Sequence, residues 1–119
     1  MELSIYTKIY NEGKAIHNFT SFYYSLHMKH LASDLLSKGL TPDQITDAVA
    51  TAIKIAGVSG IETYKHFMPV YSGINQEIIQ DCKLSHLGYG LVIMNADRNL
   101  PIVGGFQIDI LKEYLNEKS

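Results

Sequence analysis

The chain has 119 residues, 46% apolar and 18% charged, and its 10 basic and 12 acidic side chains leave a formal charge of −2. That length and balance fit one globular domain with its own core, which excludes a disordered tail and any need for disulfides or a metal in order to fold. No basic run offers the several phosphate contacts of an independent duplex-binding surface, and no apolar stretch reaches the ~18 residues that span a bilayer.

Residues 1–18 read as a strand or a short helix, with Leu3, Ile5 and Ile9 beside Tyr6 and Tyr10, and Gly13 breaks the pattern. From Asn18 to Gly39 the spacing predicts one helix, since Tyr24, Met28, Leu31 and Leu35 fall on a single stripe. Thr20 or Ser21 would cap its start and Gly39 its end. Thr41-Pro42-Asp43-Gln44 is a capping box with proline at the first helical position. The helix it opens shows Ile45, Val49, Ile53 and Ala56 on one face and stops at Gly57 and Gly60.

Residues 66–83 look extended, with Ser72-Gly73 as the turn of a hairpin and Pro69 at an edge or a strand start. Ser85 then caps an apolar helix carrying Leu87, Leu91, Val92 and Met94, in which Gly88 and Gly90 admit a close neighbour. Pro101 starts a last helix, with Val103, Phe106, Ile110, Leu111, Tyr114 and Leu115 turned inward. The expected architecture is α+β, a single small domain over 1–119. It comprises an N-terminal helical hairpin, one β-hairpin and two C-terminal helices.

The sole arginine, Arg98, stands in the polar break Asn95-Ala96-Asp97-Arg98-Asn99 between the last two helices. Caps account for Asn95, Asp97 and Asn99, with Arg98 pairing to an acid. The functional alternative uses the planar guanidinium, which suits phosphate or carboxylate and would sit beside the N–H donors of a helix start. Asn95 would read a base edge, Lys83 and His86 would add positive charge, and Tyr89 and Phe106 would supply flat rings. Eight tyrosines and no tryptophan favour base stacking in general. His27, His30 and Asp34 share a face of the expected first helix, a spacing that metal ligands use, but without a further ligand nearby that face reads as solvated. Cys82 lies beside Lys83 and near His86, which would lower its pKa, yet no oriented base accompanies it. No phosphate loop, paired-carboxylate signature or HExxH occurs, so neither a catalytic set nor a cofactor is expected. A lone cysteine and the lack of a signal-peptide pattern point to the cytosol.

The stretch Leu84 to Gln107 resembles the C-terminal part of the DNA-damage-inducible protein D and BRO-N group of bacteria, phages and large DNA viruses. The likeness runs without gaps through Leu84, Ser85, Leu91, Asn95, Asp97, Pro101, Val103 and Gln107. Ser59-Gly60, His66-Phe67 and Ser72-Gly73 extend it to roughly residues 52–110. A tyrosine-rich hairpin stands where that group begins with a tryptophan-bearing segment. The chain is also similar in outline to small phage proteins that counter Thoeris immunity, compact oligomers that bind cyclic ADP-ribose-type signals without cleaving them. Together these imply a non-enzymatic, phage-type, homo-oligomeric protein that sequesters a small anionic nucleotide in the host cytosol. The alternative they imply is a damage-inducible D/BRO-N-like module that regulates through a protein or nucleic-acid partner; a domain that only dimerises is a third.

Overall fold

The computed structural model describes residues 19–20 and 22–118, so the expectations for residues 1–18 and for a cap at Ser21 lie outside the described residues. Strand β1 (His30–Leu31) leads into a 3-10 helix (Ala32–Lys38), followed by α1 (Pro42–Val58) and a short 3-10 turn (Thr63–Lys65). Strands β2 (Phe67–Ile74) and β3 (Glu77–Leu84) form the hairpin, and α2 (His86–Met94) and α3 (Pro101–Lys118) close the chain. The sheet is antiparallel in the order β1-β3-β2. The α+β class, the hairpin and the two C-terminal helices are present as expected.

The single helix expected over 18–39 is not formed. Residues 22–25 are helical, a turn follows at 26–27, and His30 and Leu31 then pair with Leu84 and Lys83 of β3. Strand pairing across the fold overrides a local pattern of ordinary helix formers. The hairpin's first arm is therefore the seven-residue 3-10 helix. It ends where expected: Gly39 takes φ +99°, and Leu40 N–H reaches back to Leu35 O at 3.2 Å.

The second helix starts as its capping box dictates, with Thr41 Oγ1 accepting from Gln44 N at 3.2 Å and Gln44 Oε1 accepting from Thr41 N at 2.8 Å. Gly60 at φ +82° ends it, together with Ile61 N–H bonding to Ala56 O at 2.9 Å. Its buried face differs from the expected stripe. Ile45, Ala48, Ala52 and Ala56 are buried, whereas Val49 is half-buried and Ile53 is exposed. Small side chains let α1 sit close against α2, so the methyl face wins the core and the bulkier residues turn to one side.

The hairpin turn lies three residues later than expected. Ser72 and Gly73 are strand residues paired with Ile79 and Ile78, and Asn75-Gln76 turn with φ +52° and +68°. Positive φ at both central residues matches the right-handed twist of the strands, and asparagine tolerates it better than most residues. Pro69 sits on β2, an edge strand, where its missing N–H costs nothing.

Ser85 caps α2 by accepting from Gly88 N at 3.0 Å. Gly88 lies so close to β2 that a Cβ there would fall 2.7 Å from the His66 carbonyl oxygen. On α3, Val103 is buried and Phe106 half-buried, but Ile110, Leu111, Tyr114 and Leu115 are exposed, contrary to the inward face expected. Length explains this: α3 has 18 residues against nine in α2, about 27 Å against 13 Å, so α2 covers only its first half. The core gathers Leu35, Leu84, Val92 and Val103, each worth about 1.5–3 kcal/mol when fully buried.

Two substitutions test these constraints by chemical denaturation. Gln76→Gly relieves the left-handed backbone and is expected to stabilise the fold by roughly 0.5–1 kcal/mol. Gly88→Ala forces backbone against backbone and is expected to destabilise it by roughly 1–3 kcal/mol.

Candidate functional site

The polar junction after α2 is built as a turn. Asn95 N–H bonds to Leu91 O at 3.1 Å, and its side-chain amide donates to the same carbonyl at 2.8 Å, so Asn95 closes α2. Asp97 Oδ1 accepts from Asn99 N at 2.9 Å, and Asp97 O accepts from Leu100 N at 3.1 Å. Gln44 Nε2 reaches Asp97 Oδ2 at 3.4 Å, joining the junction to the first turn of α1. Arg98 is exposed and lines neither the groove beside α1 nor the small cavity under Leu35 and Val103. Phe106 packs over Gly90 and against the core.

The other expected site residues lie at the far end of α2. His86 and Tyr89 meet His30, whose ring stacks on Tyr89 with centroids 4.3 Å apart and planes at 10°. His30 Nε2 and His86 Nδ1 are 2.9 Å apart and share a hydrogen bond. Burial, with Asp34 nearby, pushes the Tyr89 hydroxyl above its usual range. His66 Nδ1 and Ser85 Oγ are 2.7 Å apart beside this cluster, and burial followed by Lys65 holds the His66 imidazole below its ordinary pKa. Lys83 is half-buried on β3 opposite Leu31 and Met68. The expected anion site is thus divided: His86 opens α2, while Arg98 follows its other end, about 13 Å away along nine residues.

The tyrosines do not converge either. Tyr23, Tyr24 and Tyr64 meet edge-to-face, with Lys65 over the Tyr24 ring at 5.4 Å, while Tyr71 and Tyr114 lie exposed elsewhere. His27, His30 and Asp34 share no helix face, because a turn, a strand and a 3-10 helix carry them. Among the described residues no group of three or more His, Cys, Asp or Glu is placed to hold a metal.

A groove of about 340 Å³ lies between α1, the 3-10 helix and β3. Ile45, Val49 and Ile53 of α1 and Leu36 of the 3-10 helix face Ile79 to Cys82 of β3 across it. The stripe read from sequence as core is largely its wall. Asp81 is the one ionisable acid in that lining, and it is fully engaged. Its Oδ1 accepts from Ser33 N at 3.0 Å and from Cys82 N at 2.8 Å, and its Oδ2 accepts from Ser72 Oγ at 2.6 Å and from Ser33 Oγ. Burial pulls the carboxyl pKa up, but these bonds outweigh it and hold the group below its ordinary value. All of its lone-pair directions are used, so its charge serves the fold rather than a ligand. Cys82 is pushed up to about 11, chiefly by burial, which reverses the expectation of a lowered thiol pKa. Lys83 and His86 do not offset the lost hydration.

Comparison of the chain with protein-family models, with curated proteins and with solved structures gave no match. No helix among the described residues is long and apolar enough to cross a membrane. The contacts of His30 with His86 and Tyr89 and the Ser33–Asp81–Ser72 link escaped the sequence reading because their partners lie far along the chain. The groove had one local trace, the four-residue spacing of Ile45, Val49 and Ile53.

Two partly buried groups carry most of the acid limb of stability; the exposed Glu62, depressed by Tyr64 and then Lys65, adds little because water screens it. His66 is depressed in the fold, so its contribution is full above its unfolded pKa of about 6.5 and falls below it. Asp81 is also depressed, so its contribution is full above about 3.9 and is lost as pH falls through the lower folded value. Urea titrations from pH 8 to 3 should show two losses, and Asp81→Asn should remove only the lower one. At pH 7 that variant is expected to cost roughly 1–3 kcal/mol, toward the low end because the site is half-open to water.

Proposed function

We propose that this chain is a non-enzymatic cytosolic interaction module of the damage-inducible D/BRO-N kind, which docks a partner protein in the groove between α1 and β3. The observation that carries this reading is the character of the groove. Its size lies in the range of ligand-binding clefts, its walls are aliphatic, and its acid is satisfied from within. Such a surface gains by burying apolar groups and gives a phosphate nothing to bind. The separation of Arg98 from His86 and Tyr89 weighs in the same direction, as does the buried, protonated thiol of Cys82, which is no nucleophile.

Retention of a small anionic nucleotide is the second reading. It is favoured by the meeting of His86, Tyr89 and His30 at the start of α2, where Ser85 caps the helix. Self-association belongs with the first reading, because α3 exposes Ile108 and Leu111 one turn apart.

Thermal shifts with cyclic ADP-ribose isomers and cyclic oligonucleotides, run beside gel shifts on single- and double-stranded DNA, separate the readings. The docking reading expects no response in either assay. It also expects peptides selected by display to have apolar cores and to lose binding on Ile53→Glu but not on Arg98→Ala. A nucleotide at a hundred times its Kd would add about 2.7 kcal/mol to stability, and such a shift, abolished by His86→Ala, would install the second reading instead.

A further inference from the structure

Gly104 and Gly105 stand in the first half of α3, and a Cβ at either would meet nothing outside its own helix within 4 Å. Glycine weakens a helix interior relative to alanine, so a glycine kept where alanine fits is unexplained by packing within the chain. The open side continues along the helix. By helical periodicity Gly104, Ile108, Leu111 and Leu115 fall within about 60° of one another, and their spacing of four, three and four is the a/d repeat of paired helices. Ile108 and Leu111 are each 55% exposed. The stripe runs beside the face that carries Val103 and Phe106, and turns away from Asp109 and Glu113. It is thus neither core nor charged surface.

We infer that α3 pairs antiparallel with α3 of a second copy of this chain, with Ile108 against the partner's Leu111 and Gly104 beneath the partner's Leu115. The stripe's own asymmetry names the occupant. One end is small and the other bulky, so a copy turned end for end sets bulk against space. A two-fold axis crossing between Ile108 and Leu111 does this for both copies at once. Parallel pairing would lay glycine on glycine and leave a void that close packing disfavours. Length agrees with a second copy: about 27 Å of paired helix buries on the order of 1,000 Å² in total, the lower bound for a specific interface, which places the dimer in the micromolar range. The pairing goes beyond the docking reading, names no occupant for the groove, and stands or falls without it.

Sedimentation equilibrium on the full chain is expected to show monomer and dimer exchanging with a micromolar Kd. Ile108→Glu and Leu111→Glu, both at exposed positions, should each weaken the dimer by roughly a hundredfold. The thermal transition, measured at dilutions where the chain is monomeric, should not move. Gly104→Ala separates pairing from helix propensity. The monomer's transition should rise, because alanine favours the helix, while the dimer weakens by roughly tenfold. Direction is read from a spin label carried by Asn116→Cys in a Cys82→Ala background. The antiparallel register sets the two labels about 20 Å apart along the helices, against about 10 Å for a parallel pair. A chain that stays monomeric at roughly 1 mM overturns the pairing. So does a dimer that both glutamate variants leave intact, a dimer unmoved or strengthened by Gly104→Ala, or the short label distance.

Discussion

The Asp81 carboxylate is the fastening on which the open side of the fold depends. Four donors from the 3-10 helix, β2 and β3 itself converge on it, so one side chain joins three elements. β3 is the central strand, so the bond fixes where the 3-10 helix lies along the sheet and how far α1 stands from it. A hydrophobic contact at this point would hold the elements together without specifying their offset, because apolar attraction has no direction. Directional bonds to a charged acceptor do specify it, and each is worth more than its neutral counterpart. The groove is the space left over once that offset is set.

What could be read from the sequence was what neighbours in sequence decide. Thr41 with Gln44, Ser85 before α2, and the left-handed glycines 39 and 60 each act within five residues, and each stands where the pattern put it. What could not be read depended on distant partners. His30 and Leu31 are strand because Leu84 and Lys83 are there to pair with them, and alternation in so short a stretch carries no signal. The α1 face could not be chosen by periodicity, since Ile45 belongs both to the alanine row and to the isoleucine–valine row, and the packing partner decided between them. The site followed the same division: the junction at Asn95 and Asp97 was legible as caps, while the groove needs three separate segments to exist.

The positions that suggested a family likeness take on mechanical roles. Leu84 and Val103 are fully buried, Ser85 opens α2, and Asn95 closes it. Asp97 shapes the turn, and Gln107 donates from α3 to Met94 O at 2.8 Å, latching the last two helices together. Residues that act as fasteners fix the fold and leave the α1–β3 groove and the exposed half of α3 unconstrained by them. The single guanidinium at Arg98, which stands out in composition, is by contrast bound into none of these connections.

Cys82 illustrates how burial changes what a residue type implies. Counting cysteines pointed to a reducing compartment, yet burial pushes the thiol pKa up to about 11, so at neutral pH the buried group carries almost none of the thiolate that attacks disulfides. Cys82 therefore behaves as a small apolar filler beneath the groove, and its solitary presence carries no information about the compartment the fold works in.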